Sequence, residues 1–466
     1  MKLKKTVGVL LSASMVCGAL SLPLTAQAAK LPDLLAGDAN RDGVIDIRDV
    51  TEIQRMLAKL CEPDEMTVQV AKNDFSRDEL FIGDATSIQQ NLAEFNNPSS
   101  REVGKPAFIW RGKKYYPALE EYQRYLDQNL SSFDFCGVAY VTRNGRVLCQ
   151  STVGKANTAE DKDVTIDTLF PVGSVSKQFC AASIMMLQEQ GKLSVTDKLG
   201  KYIPEYEKGK DITLHQMLSM RSGIRDYLNP DESYKGHEVP FNEYVLSESN
   251  TDEENEKLVL DWLFGEELKF TPGKSWSYSN SNFMLLAMIV EQVSGMSYTD
   301  FVRENIFKPL NMTDSIFYSE IGTNPNVCED TFNADNPYYE GVDFDNIPFT
   351  YTWLENHTKG DGDIVTNAKD IDKWMTSLRE CTILSEESIA AMSTNYEGSS
   401  YGYGLCVEGD TAVYHPGDIS SFESTDLTVP GENINIFIVT NNVAAAYAKN
   451  LQIQTIAGRM AKKVLS

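Results

Sequence analysis

One tetrad in this sequence has the form S-x-x-K, Ser174-Val175-Ser176-Lys177, and it constrains what the chain can fold into more than any other feature. Positions i and i+3 lie on one face of a helix, so Lys177 can reach the Ser174 hydroxyl. A serine hydroxyl is a poor nucleophile at its own pKa and needs an adjacent base. The run Phe179–Leu187 that follows is rich in apolar residues. A helix over Ser174–Gln190, punctuated by Gly191, therefore desolvates the lysine in part and eases loss of its proton.

Alone the tetrad says little, because short patterns recur by chance. Two further segments support it. Thr271-Pro272-Gly273 leads into Tyr278-Ser279-Asn280. A phenol near an ammonium can act as base toward the serine and as acid toward a leaving group, and Asn280 can hold both Lys177 and a substrate amide. Tyr227-Leu228-Asn229 has the same Y-x-N form, but the Pro-Gly turn before Tyr278 and the helix Phe283–Gly295 after it favour Tyr278. The third segment, Tyr414-His415-Pro416-Gly417-Asp418, carries H-x-G at a strand. Gly417 lets a substrate lie against the strand, and the Asp418 N–H can join that of Ser174 as an oxyanion hole.

The surrounding pattern predicts helix over Leu119–Leu130. Strands are expected over Phe135–Thr142 and Arg146–Thr152, joined by an Asn144-Gly145 turn. A helix Glu253–Phe264, strands Ala412–Tyr414 and Ile434–Thr440, and one closing helix Ala444–Leu465 complete it. Strands at both ends of this α/β segment point to one shared sheet. Two long stretches, 229–267 and 324–359, are candidates for shaping substrate choice.

Upstream, about residues 36–96 form an internal repeat. Asp49-Val50-Thr51-Glu52-Ile53-Gln54 is echoed by Asp84-Ala85-Thr86-Ser87-Ile88-Gln89, with leucines at Leu57 and Leu92 in register, the sign of a duplicated loop–helix unit. The first loop places oxygens at EF-hand positions: Asp38, Asn40, Asp42, the Val44 carbonyl, Asp46 and Asp49, with Gly43 at the sharp turn. That is a donor set for Ca²⁺. The second loop offers Asp74, Ser76, Asp78 and Asp84 but lacks one residue where the glycine belongs, so weaker or no calcium binding is expected there.

Residues 1–29 have a basic start, an apolar run and a small-residue Ala26-Gln27-Ala28 site, the pattern of a cleaved export signal. Residues 97–106 read as a linker and 107–466 as the main domain. No later stretch approaches a membrane span. The net charge of −25 repels phosphate and argues against a nucleic-acid partner. Seven scattered cysteines remain after the signal, an odd number that forms no disulfide framework; Cys180 reads as a small buried hydrophobe.

The ordered set S-x-x-K, Y-x-N, H-x-G, with Gly191-Lys192-Leu193-Ser194, Ser222-Gly223-Ile224 and Asn441-Asn442 around it, resembles the class C β-lactamase, D-alanyl-D-alanine carboxypeptidase and esterase family over about residues 110–465. The resemblance implies an α/β (α+β) fold: an antiparallel sheet flanked by helices, beside a helical lobe. It also implies a Ser-Lys-Tyr acyl-enzyme acting on an ester or D-amino-acid amide, with no catalytic cofactor. Ser174, Lys177, Tyr278, Asn280, His415, Gly417 and Asp418 then form the catalytic set, and Lys177 and Tyr278 both remain candidates for the base. β-Lactamases of the class have Lys and Thr where this chain has His415 and Pro416, which disfavours penicillin hydrolysis. Gly360-Asp361-Gly362-Asp363 is more acidic than the family's usual glycine-rich segment.

The repeat resembles the small all-α dockerin modules of cellulosomes, which implies a cohesin module on a scaffoldin as partner and a secreted, cell-surface or cellulosomal location. Competing readings are an inactive penicillin-binding-like protein on a scaffoldin, and an esterase or other enzyme of plant polysaccharide breakdown.

Overall fold

A computed structural model describes residues 39, 47–58, 89, 119–228, 246–322, 324–333, 335–340, 353–354, 357–409 and 411–465. The chain divides into two units. One comprises residues 23–126 and 142–149, the other residues 127–141 and 150–466 together with residues 1–22.

In the first unit, helix α1 (Ile47–Leu57) buries Asp49, Val50, Ile53 and Met56 along one side and leaves Ile47 exposed. That spacing is the three-to-four-residue period of an amphipathic helix. The repeat pattern predicts a helix here, and residues 47–57 form one. The remaining residues proposed for calcium (Asp38, Asn40, Asp42, Val44, Asp46, Asp74, Ser76, Asp78 and Asp84) lie outside the described residues.

Helix α2 (Leu119–Leu130) leads into strands β1 (Gly137–Arg143) and β2 (Arg146–Val153). Their partners come from the far end of the chain: β3 (Cys406–Glu408), β4 (Ala412–Ile419), β5 (Phe422–Val429) and β6 (Ile434–Thr440). The six strands run in the order β2-β1-β6-β5-β4-β3. β3/β4, β4/β5 and β5/β6 pair antiparallel. The sheet joining both ends of the domain is the one anticipated.

All eight residues of β5 are buried. Side chains of a strand alternate between its faces, so both faces are covered. On one face Ser424 and Asp426 meet the segment around helix α3 (Lys177–Glu189): Ser424 Oγ donates to the Val172 carbonyl, and Gln178 Nε2 donates to both Asp426 carboxylate oxygens at 2.8 Å. Gln178 also accepts from Trp374 Nε1 on helix α6 (Ala368–Glu380). On the other face Glu423 accepts from the Ile453 N–H, where helix α8 (Ile453–Leu465) begins. Between α3 and α6 in the chain, helices α4 (Asp252–Gly265) and α5 (Asn280–Ser294) belong to the helical part, and α5 packs against α3. α5 closes on Gly295 at φ 74°, a left-handed stop that glycine adopts at no steric cost.

Two expectations are corrected. The helix expected over Ser174–Gln190 starts as a 3₁₀ turn, Gly173–Ser176, and becomes α-helical at Lys177. The closing helix is two: α7 (Val443–Ala448) and α8, separated where Asn450 adopts φ 52° and Leu451 N–H returns to the Ala446 carbonyl. Asparagine tolerates the left-handed region, and composition alone did not mark the break.

The 3₁₀ turn lies hard against β4. A Cβ on Gly417 would stand 1.9 Å from the Val172 carbonyl oxygen, and one on Gly173, at φ 51°, would stand 2.7 Å from that of Asp418. Glycine at both positions is what brings the Ser174 turn and the strand together. Gly417→Ala is expected to cost about 3 kcal/mol in urea denaturation, as overpacking against backbone does. A loss below about 1 kcal/mol would show that the turn yields freely.

Candidate active site

Lys177 is wholly buried. Its Nζ lies 3.0 Å from Ser174 Oγ, 2.7 Å from Asn280 Oδ1 and 2.5 Å from the Asp361 carbonyl oxygen. Two distant chain segments thus converge on one amine beside the serine of its own turn. The Asn280 oxygen and the Asp361 carbonyl only accept, so Lys177 donates to both. A neutral amine has two N–H bonds and one lone pair. With both hydrogens committed, the lone pair faces the Ser174 hydroxyl, which is the geometry for taking its proton. Burial lowers the Lys177 pKa to about 8, opposed chiefly by the carboxylates of Asp361 and Asp226. A neutral fraction therefore exists near neutral pH.

Tyr278 stands over the same amine, its ring centre 5.0 Å from Lys177 Nζ. Its hydroxyl is buried and has no well-formed hydrogen bond among the described residues, although the Ser174 hydroxyl lies close by. Burial drives its pKa well above the ordinary phenol value, although the nearby Ser174 hydroxyl pulls the other way. Tyr278 is therefore a neutral phenol with a proton to give.

His415 is buried, with its ring 6.2 Å from that of Tyr278. Its Nδ1 lies 2.6 Å from the Pro416 carbonyl, which only accepts, so Nδ1 carries the hydrogen. Nε2 then accepts from the Tyr401 hydroxyl at 2.9 Å. Burial holds the ring neutral, its pKa lowered to about 3. Both ring nitrogens are thus engaged within the protein. Gly417 faces the Ser174 turn. Asp418 pairs with Glu423 across the strands and accepts from the Tyr447 hydroxyl, so its side chain points to the sheet's other face and only its backbone borders the site. β3 covers β4 only as far as Tyr414, which leaves the edge at His415–Ile419 without a paired strand among the described residues.

The segment Gly360–Asp363 reaches the site through the Asp361 carbonyl. Asp361 and Asp363 are buried, and burial raises their pKa values to about 6 and about 7. Two contributors escaped the sequence reading. Asp226 accepts from Asn280 Nδ2, and Tyr227, set aside there as the second Y-x-N, donates to Asp361 Oδ2 at 2.8 Å. Their position just after Ser222-Gly223-Ile224 was the available signal. The expected burial of Cys180 is observed, and the six described cysteines are free thiols. No described helix is long and apolar enough to cross a membrane.

The beta-lactamase family model matches residues 126–455, well over half the chain, and the chain belongs to that family. It is 27% identical over 383 residues to "Putative penicillin-binding protein PbpX" of Bacillus subtilis (strain 168), covering 81% of this chain and 85% of that one. It is 30% identical over 188 residues to penicillin-binding protein 4* of the same organism, covering 40% and 38%. Among solved structures, a penicillin binding protein from Bacillus halodurans superposes with a TM-score of 0.57 at 22% identity, covering 71% of this chain and 97% of that one. A D-amino acid amidase from Ochrobactrum anthropi SV3 gives 0.57 at 22%, covering 75% and 99%. At that identity the structures establish the fold.

Asp361, Asp363, Asp426 and Glu423 are all buried with raised pKa values, Asp426 to about 7 and Glu423 well above its ordinary value. A raised carboxyl pKa stabilises the fold below the unfolded value, and that contribution is lost as pH rises through the folded value. His415, with its lowered pKa, works oppositely below pH 6.5, and Lys177 mainly above about pH 8. Four groups outweigh one between pH 5 and 8. The melting temperature is expected to be higher at pH 5 than at pH 8 by calorimetry; the reverse order would show these carboxyls to be ionised in the folded protein.

Proposed function

We propose that this protein is a serine hydrolase that cleaves an ester or amide through an acyl-enzyme on Ser174. The observation that carries this reading is the wholly buried Lys177 amine, 3.0 Å from Ser174 Oγ with its other partners both obligate acceptors. Ser174 Oγ attacks the substrate carbonyl as Lys177 takes its proton. The N–H groups of Ser174 and Asp418, on segments pressed together by Gly173 and Gly417, receive the oxyanion. Tyr278 protonates the leaving group and recovers its proton from Lys177. Water then hydrolyses the Ser174 ester by the reverse proton path.

The strand bordering the site has no grip for a carboxylate. His415 is neutral with both nitrogens engaged, and Pro416 has no N–H. A leaving group without a carboxylate, such as ammonia or an alcohol, fits better than a terminal D-alanine. The likeness to a D-amino acid amidase is in keeping with an amide or ester of a D-amino acid. Acetyl or aromatic esters on plant polysaccharide belong to the same chemical class.

We propose further that residues 36–96 are a calcium-binding dockerin that docks a cohesin on a scaffoldin, and that residues 1–29 direct export. Support comes from the ligand spacing of the first loop and from Asp49, buried in the first turn of α1 as a twelfth-position ligand requires.

A fluorophosphonate probe is expected to label Ser174 in the wild type and not in Ser174→Ala, whose turnover should fall on the order of 10⁴-fold or more. D-amino-acid amides or esters should be hydrolysed faster than peptides ending in D-alanyl-D-alanine; no labelling of folded wild type would overturn the hydrolase reading. For the N-terminal unit, calorimetric titration should show calcium uptake that Asp38→Ala weakens by at least about tenfold. A flat titration of the full chain would remove the dockerin reading and leave the hydrolase untouched.

A further inference from the structure

Lys177 is useful only if its two acceptors stay where they are, and neither does so by itself. The Asn280 amide can present oxygen or nitrogen to Lys177, and the wrong choice sets N–H against N–H. Asp226 decides it. Both of its carboxylate oxygens accept from Asn280 Nδ2, at 3.2 and 3.0 Å, so Asn280 Oδ1 must face Lys177. The other acceptor is the Asp361 carbonyl, in a loop. The Asp361 side chain anchors that loop by accepting the Tyr227 hydroxyl at 2.8 Å and the Lys359 N–H at 3.0 Å. Burial keeps Tyr227 a neutral donor.

Asp226 and Tyr227 are consecutive, and their own placement is set by the start of α5. Ser281 Oγ accepts from Tyr227 N–H and donates to the Arg225 carbonyl, to which Ser279 Oγ also donates. Asp226 further accepts the Leu228 N–H. The residues on either side of Asn280 thus hold the segment that in turn orients Asn280.

We propose that Asp226 and Tyr227 are positioning residues of the acylation step, one for each acceptor of Lys177, so that a single dipeptide aims the lysine lone pair at Ser174. The proposal rests on the Ser174 acyl-transfer reading. The charged and titratable groups facing Lys177 are Asp226, Asp361 and Asp363, with Cys180 on its own helix, Tyr278, and neutral His415 on β4. Removing the Asp226 charge therefore makes the amine easier to deprotonate while loosening its aim.

The test is the rate of fluorophosphonate labelling of Ser174 in the full chain from pH 5.5 to 9.5. For Asp226→Asn the alkaline plateau is expected to fall by about 10- to 100-fold, and the midpoint of the acid limb to move down by about one pH unit. For Tyr227→Phe the plateau should fall with a much smaller shift in midpoint, because no charge is removed. A merely structural role would lower the melting temperature and leave the labelling curve of the folded protein in place. Unchanged plateau and midpoint in folded Asp226→Asn would overturn the proposal; should that variant not fold, an unchanged plateau in Tyr227→Phe would do so. Wild type that labels normally while both variants keep its curve refutes the bracing alone, whereas unlabelled wild type refutes the hydrolase reading beneath it.

Discussion

A buried ammonium is costly unless it is surrounded by acceptors, and much of the catalytic unit is arranged around that requirement for Lys177. The amine draws on the first turn of α5 through Asn280 and on the 359–363 loop through Asp361, besides Ser174 on its own turn. Each acceptor needs support of its own, which Asp226 and Tyr227 supply. The same burial that makes the lysine expensive to hold charged lowers its pKa to about 8, within range of the chemistry asked of it.

The sheet supplies the second constraint. β5 is buried on both faces, and the polar residues on its inner face are spoken for: Ser424 by Val172, Asp426 by Gln178 and the His415 N–H. Gln178 directly follows Lys177, so the bonds that lock α3 to the sheet also fix the height of the lysine. Gly173 and Gly417 then allow turn and strand to close to backbone contact, a distance no side chain permits. His415, neutral and bonded to Tyr401 and Pro416, braces this strand and leaves a site edge with no cation for a carboxylate.

Much of this was legible in the chain itself. The S-x-x-K spacing, the Y-x-N segment ahead of an apolar helix and the H-x-G strand are local patterns, and local geometry carries them into the structure almost unchanged. The Asn144-Gly145 hairpin, the helix over Leu119–Leu130 and the strand Ile434–Thr440 follow for the same reason. The break at Asn450 was not legible, because one asparagine in an otherwise helical stretch does not announce a left-handed residue.

Sequence by itself determined which groups were available: one serine with a lysine three residues on, a phenol, an amide, and a strand carrying histidine and proline. The turn and helix around Tyr278 already favoured it over Tyr227 as the tyrosine beside the serine, but tertiary structure alone decided what Tyr227 does. Tyr278 and Tyr227 share the Y-x-N form, yet one stands over Lys177 and the other anchors Asp361. It also decided that Asp226 orients Asn280 across 54 residues of chain. Such assignments depend on long-range packing, which brings donors and acceptors together in space without leaving any periodic trace along the sequence.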